Sequence, residues 1–290
     1  MTPPRRALTE LETLVDKLFA APDTPQADAR GAVAELLDLL ESGAVRAAEL
    51  GSDGEWRAVN WVKRGILLGF RAGEIVDMSL RGADPNATSL PFFDKDTFPL
   101  RALGLRDNVR VVPGGSSIRR GAYLAPGVVC MPPSYVNVGA YVGTGTMIDS
   151  HALVGSCAQV GERVHISAAA QLGGVLEPVN AAPVVIEDDV VVGGNCGVYE
   201  GTVVRKTAVL GAGVILTRST PVFDVVRETV YRGGPAAALV IPEGAVVVPG
   251  GRRMPSGWAA DMSLSVVTPI IIKYRDERTD AATALEMALR

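Results

Sequence analysis

From residue 118 to residue 172, every sixth position is apolar or cysteine: Ile118, Leu124, Cys130, Val136, Val142, Ile148, Val154, Val160, Ile166 and Leu172. A second series in the same spacing runs Ile186, Val192, Val198, Val204, Leu210, Leu216 and Val222. Four residues after most anchors stands a small or β-branched residue, as at Ala122, Ser134, Ala140, Thr146, Ala158, Ala170, Cys196 and Thr202, with Leu176 the largest exception. A helix repeats its apolar face every 3.6 residues and a strand every 2, so a period of six belongs to neither alone. It fits a short strand followed by a tight turn, three such units closing one coil of a parallel β-helix. The anchor is predicted to point inward. The residue four later points toward a corner, where only small side chains fit. Successive coils then stack by parallel pairing at about 4.8 Å, each burying its neighbour's face.

The register slips once, because the 14 positions from Leu172 to Ile186 are not a multiple of six. Residues 177–183 are therefore predicted to loop out of the coil. A second interruption, about residues 223–239, precedes one more unit at 241–246. Loops on solenoids often carry the binding surface.

The flanks carry other periods. Leu11, Leu14, Val15, Leu18 and Phe19 have helical spacing over residues 8–20, and Val33, Leu36, Leu37, Leu39 and Leu40 over residues 28–41, where Ser42-Gly43 supplies a stop. Residues 44–76 mix short apolar runs with glycines and read as strand and helix. Residues 84–99, rich in proline, aspartate and phenylalanine, read as a linker. Residues 259–274 are β-rich around Ile270-Ile271-Ile272, and residues 280–290 read as a short helix. The expected organisation is an N-terminal α/β domain (1–107), a β-helix domain (108–248) and a β/α cap (249–290).

Composition narrows the function. No stretch of this 290-residue chain approaches the ~20 apolar residues of a membrane helix. Residues 1–6 lack the following apolar core of a secretory signal, so the cytoplasm is the expected compartment. A net charge of −4 argues against nucleic acid as a partner. Of the three cysteines, Cys130 and Cys196 hold inward repeat positions, and no pair has C-x-x-C spacing. No His, Cys and acidic cluster suggests a metal, and no G-x-x-x-x-G-K-S/T phosphate loop occurs.

More specific blocks lie on this frame. They are Arg110-Val111-Val112-Pro113, Tyr135-Val136-Asn137-Val138-Gly139-Ala140-Tyr141, Gly145-Thr146-Met147-Ile148-Asp149, Ser156-Cys157-Ala158-Gln159-Val160-Gly161, Gly173-Gly174-Val175-Leu176-Glu177-Pro178, and Ile186-Glu187-Asp188 with Glu200-Gly201. With residues 36–46 they closely resemble the tetrahydrodipicolinate N-succinyltransferases, over nearly the whole chain. The resemblance implies a left-handed coil. It implies transfer of succinyl from succinyl-CoA to the nitrogen of a cyclic dicarboxylate in diaminopimelate and lysine biosynthesis. It further implies a homotrimer with sites in clefts between neighbouring prisms. An acetyl-CoA-dependent enzyme on the same acceptor, or a non-catalytic hexapeptide scaffold, are the alternatives.

Acyl transfer from a thioester needs a held acceptor, a deprotonated amine and a stabilised oxyanion. Arg110 matches the family arginine that grips an acceptor carboxylate, a contact that suits a two-pronged guanidinium. Asp149, just after inward Ile148, matches the family aspartate on the acceptor. The family often carries a further acid three residues before Glu200, where this chain has Gly197. Either Glu200 takes over the role or the site is a variant. His151 stands where the best-known members carry tryptophan and reads as a solvated turn residue. His165 reads as a structural hydrogen-bonding group. Gly173, Gly174, Gly193 and Gly194 would admit a pantetheine arm close to the backbone, and turns also require glycine. Lys273, with Arg275, is a partner for CoA phosphates or a solvated charge.

Overall fold

The computed structural model describes residues 7–21, 25–80, 90–234 and 237–276. The helix expected at 280–290 and the first part of the expected linker, 84–89, lie outside the described residues.

Each hexapeptide unit becomes a two-residue strand whose second residue is the anchor. Tyr141–Val142 is typical: Val142 is buried and pairs in parallel with Leu124 on one side and Val160 on the other, one coil away in each direction. Repetition builds three parallel faces. The first contains Ser117–Ile118, Tyr135–Val136, Leu153–Val154, Gln171–Leu172, Gly197–Val198 and Ile215–Leu216. The second contains Tyr141–Val142 and Gln159–Val160, and the third Arg110–Val111, Met147–Ile148 and His165–Ile166. The anchors stack into one continuous core. At the corners Ala122, Ala140, Ala158 and Ala170 are buried as the period requires. Thr146 and Thr202, also buried, satisfy their hydroxyls by donating to the carbonyls of Gly161 (2.9 Å) and Tyr199 (2.8 Å). Cys130 and Cys196 fill the core, and burial pushes the Cys130 thiol up to about 12.

Pairing survives the register slip. Leu172 still lies against Val198, so the extra residues leave the coil as a loop after Gly173. The second interruption opens with an antiparallel pair, Val222–Asp224 with Thr229–Tyr231. Ala245–Arg253 then continues the third face and pairs antiparallel with Ser265–Tyr274, which returns against Val222–Asp224. Buried Asp224 ties this end together. Its carboxylate accepts from the Tyr274 hydroxyl (2.6 Å) and from the backbone N–H groups of Val226 (2.9 Å) and Arg227 (3.0 Å).

Three helices form the N-terminal unit: α1 (Leu8–Ala20), α2 (Gln26–Glu41) and α3 (Asn60–Ala72). α2 stops where expected, at Ser42 and a left-handed Gly43 (φ 71°). Residues 90–99 are not a linker. Phe93–Lys95 pairs antiparallel with Ile75–Asp77, and Phe98 is buried in the helical core against Gly69 and Val33. The polar composition that suggested a linker belongs to an exposed ribbon, whose Asp94 carboxylate pairs with Arg119 of the prism.

The helical unit sits on the corner between the first and second faces. Gly121 (φ 80°) and Gly139 (φ 75°) turn the prism backbone directly against it. A Cβ at these positions would lie 2.5 Å from Leu37 Cδ2 and 2.9 Å from Ile66 Cδ1. Lys63 of α3 is wholly buried and donates to the carbonyls of Pro178 and Ala181, fastening the looped-out segment to the helices.

Candidate active site

The sequence candidates fall on two corners of the prism. Between the third and first faces runs the turn Asp149-Ser150-His151-Ala152. Asp149 follows a buried anchor, so its carboxylate faces out. Oδ1 accepts the Ser150 N–H at 2.8 Å, and Oδ2 lies 3.8 Å from Nε2 of His165 on the next strand of the same face. His165 is buried, whereas His151 is exposed in a left-handed turn (φ 62°), its carbonyl accepting from Gln171. Arg110 lies exposed on the same face as Asp149. Its row continues through Val129 and Met147 to His165, which sets Arg110 two strands, about 10 Å, from the Asp149 strand. Further along this corner come Gly193 and Gly194. A Cβ at Gly193 would lie 2.5 Å from the Leu210 carbonyl, so coil stacking itself requires glycine there.

Gly173, Gly174 and Glu200 occupy the corner between the first and second faces. Glu200 is a left-handed turn residue (φ 54°), and its Oε2 accepts the Arg218 N–H at 3.0 Å. A Cβ at Gly174 would lie 2.7 Å from the Ser156 amide nitrogen. Lys273 stands on neither corner. It belongs to the Ser265–Tyr274 strand, where its Nζ pairs with Asp276 at 3.0 Å. One chain thus sets Arg110, Asp149, Gly193 and Gly194 along one side of the prism, Asp149 two strands from Arg110 on one side and two from Gly193 on the other, and holds Gly173, Gly174, Glu200 and Lys273 apart from them.

The residue that sequence reasoning missed is Tyr199. Positions 197 and 199 flank inward Val198, so both face out from the first face. The Tyr199 ring lies over both Gly173 and Gly197. A Cβ at Gly173 would meet Tyr199 Cδ1 at 2.7 Å. One at Gly197 would meet Cε2 at 2.4 Å and Cζ and Oη at 2.9 Å. The signal available in the sequence was the pair itself, a glycine and an aromatic two apart on one face.

A separate cleft of about 750 Å³ opens where the Ala48–Leu50/Trp56–Ala58 ribbon lies over the second face. Arg46, Trp56, Tyr141, Gln159, Glu187 and Arg205 line it, and none of the sequence candidates does. The Glu187 Oε1 accepts from Trp56 Nε1 (2.9 Å) and from Arg205 (2.8 Å), which ties the ribbon to the prism. Among the described residues no group of three or more His, Cys, Asp or Glu is placed to hold a metal, and no helix is long and apolar enough to cross a membrane.

Comparison with known proteins gives a consistent result. Residues 10–72 match the family described as tetrahydrodipicolinate N-succinyltransferase N-terminal, and residues 183–218 match the hexapeptide repeat of succinyl-transferase. A 2,3,4,5-tetrahydropyridine-2,6-dicarboxylate N-succinyltransferase of Nitrobacter hamburgensis is 41% identical, over 98% of this chain and 99% of its own length. The protein of the same name from Bradyrhizobium diazoefficiens is also 41% identical over 98% of this chain and 99% of its own, and that of Paramagnetospirillum magneticum is 39% identical over 97% and 98%. Among solved structures, a Campylobacter jejuni protein assigned as a 2,3,4,5-tetrahydropyridine-2-carboxylate N-succinyltransferase shares the fold, with a TM-score of 0.50 at 18% identity over 87% of this chain and 64% of that one.

Proposed function

The chain belongs to the tetrahydrodipicolinate N-succinyltransferase family, and we propose that its reaction runs in clefts between neighbouring left-handed prisms of a cytoplasmic homotrimer. It is an acyltransferase that moves succinyl to the nitrogen of tetrahydrodipicolinate, a step of diaminopimelate and lysine biosynthesis. The carrying observation is the match to named relatives at 41% identity over nearly the full length of both chains. Succinyl-CoA is the donor, and we take the chain as three parts, 1–107, 108–248 and 249–290.

Arg110 and Asp149 form the acceptor end of the site. Both lie exposed or half-exposed on the third face, within reach of one small dicarboxylate. The Arg110 guanidinium offers a fork to an acceptor carboxylate, and Asp149 takes the proton that the nitrogen loses on acylation. His165, 3.8 Å from Asp149, supports that carboxylate from below. Gly193 and Gly194, on the same corner, leave the backbone open to a pantetheine arm. Gly173 and Gly174 do so on the other corner, beside the looped-out segment, with Lys273 directed to a CoA phosphate. Glu200, committed to the Arg218 N–H, serves the turn.

The test is Arg110→Lys. It keeps the charge and loses the two-pronged contact. The acceptor KM should rise by an amount corresponding to about 2 kcal/mol, while the succinyl-CoA KM stays put. An unchanged acceptor KM would remove Arg110 from the site.

A further inference from the structure

We propose that the Tyr199 hydroxyl is a catalytic hydrogen-bond donor, holding the oxyanion that forms on the thioester carbonyl during acyl transfer. The proposal rests on the succinyltransferase reading and adds a residue to it.

Three observations converge. First, Gly197 is the outward residue at the end of its strand on the side of the Asp149 corner, and lies two strands, or about 10 Å, along the face from Leu153, which follows the Asp149 turn. Its missing side chain leaves a space, and that space is filled. The phenol of Tyr199 folds back across the face, so that its Oη lies 2.9 Å from where a Gly197 Cβ would stand. Second, Gly173 makes room for the near edge of the same ring, at 2.7 Å from Cδ1. Two glycines in adjacent coils thus seat one ring flat on the prism, which fixes where its hydroxyl points. Third, that hydroxyl has no hydrogen-bond partner among the described residues, while the neighbouring Glu200 carboxylate is turned to the Arg218 N–H. The ring is half-exposed, and its polar tip lies over Gly197, at the end of the strand that adjoins the corner on which Asp149 stands.

A phenol suits an oxyanion better than a proton acceptor. Its O–H donates, and a seated ring carries that donor into place with little reorganisation. In the step, the ring C=N of the acceptor has first taken up water, which makes its nitrogen a secondary amine; that nitrogen bonds to the thioester carbon while the carbonyl π pair moves onto oxygen, where Tyr199 O–H meets it. Collapse restores the carbonyl and breaks the carbon–sulfur bond, the pair leaving on sulfur. The proton lost by nitrogen passes by way of Asp149 to that thiolate. The hydrated ring then opens at its carbon–nitrogen bond, the added hydroxyl becoming a ketone as its proton moves to the amide nitrogen, so the products are the ring-opened amide and CoA thiol, and Tyr199 keeps its proton throughout.

The experiment is steady-state turnover of wild type, Tyr199→Phe and Gly197→Ala with succinyl-CoA and with acetyl-CoA, each protein checked by thermal melt. Tyr199→Phe keeps the ring over both glycines and removes only the hydroxyl. Its kcat should fall about 10²- to 10³-fold, as for loss of one oxyanion donor, with both KM values and the melt unchanged. Gly197→Ala should lose turnover as well, because its Cβ evicts the ring. Tyr199→Phe turning over at the wild-type rate overturns the proposal, and so does a loss confined to either KM. If wild type itself moves neither acyl group, the family reaction fails and takes the Tyr199 role with it. If wild type is active and Tyr199→Phe equals it, only the Tyr199 role fails.

Discussion

Arg46→Ala should destabilise the protein by about 2–4 kcal/mol, because this side chain locks the N-terminal unit onto the prism. Its guanidinium carbon lies 3.7 Å from the Tyr141 ring centroid and 5.4 Å from that of Trp56, and its Nε donates to Gln159 Oε1 at 2.9 Å. Two losses follow from its removal. A cation stacked on an aromatic face contributes about 1–2 kcal/mol when desolvated. Gln159 is 1% exposed, and its Nε2 already donates to the Cys157 carbonyl, so Oε1 would be left buried without its donor. That costs about 1–3 kcal/mol. Because both groups share one side chain the terms are not independent, and together they amount to less than their full sum of about 5 kcal/mol. Arg46→Lys should recover less than half of the loss, since an ammonium cannot stack as a plane and donate sideways together. Urea titration at fixed protein concentration, followed by tryptophan emission and by circular dichroism, measures both variants. A midpoint for Arg46→Ala corresponding to less than about 0.5 kcal/mol of change would refute the reasoning, since it falls below even the stacking contribution alone.

Ile166→Ala, at a position with no exposure in the stacked core, should cost about 2–5 kcal/mol by urea titration. Glu200→Gln should leave turnover within a few-fold of wild type, because the amide oxygen can still accept the Arg218 N–H; a loss of ~10²-fold or more would make the carboxylate catalytic after all. Asp224→Asn should cost about 1–3 kcal/mol at pH 7, read from urea midpoints. Burial alone would raise the Asp224 pKa, but the Tyr274 hydroxyl and the Arg227 and Val226 N–H groups outweigh it and hold the carboxyl below its usual range. A carboxyl depressed on folding stabilises above its unfolded pKa, near 3.9, and loses that contribution as pH falls through the folded value. The gap between wild type and Asp224→Asn should therefore narrow below about pH 4 and stay constant above about pH 5.

The prism was legible because its code is local. Each anchor and each corner residue follows from a six-residue period, and the pairing of Val142 with Leu124 and Val160 needs only that the period hold for three units. Even the looped-out segment was visible, as a count that six does not divide. What the period could not reveal was contact across distance. Arg46 and Gln159 are 113 residues apart, and Lys63 reaches Ala181 across 118, with nothing in either local stretch to announce the partner. The ribbon at 90–99 was misread because Asp94 and Lys95 look like solvated linker residues, whereas they edge a strand whose continuation buries Phe98. The candidate site divides the same way. Arg110 and Asp149 were found by their motifs and do share a face. The separation of Glu200 from Asp149 by a whole prism face appears only when the coil is closed. Tyr199 escaped because its role depends on where a ring folds, which two glycines decide and no motif records.

The central claim is that this protein acylates tetrahydrodipicolinate with succinyl, and the direct measurement is mass spectrometry of the acceptor after incubation with purified protein and isotope-labelled succinyl-CoA. The account predicts a labelled N-succinyl, ring-opened product, formed one-for-one with free CoA thiol and only when acceptor is present. Free CoA without labelled acceptor product, or transfer from acetyl-CoA in its place with none from succinyl-CoA, would contradict it.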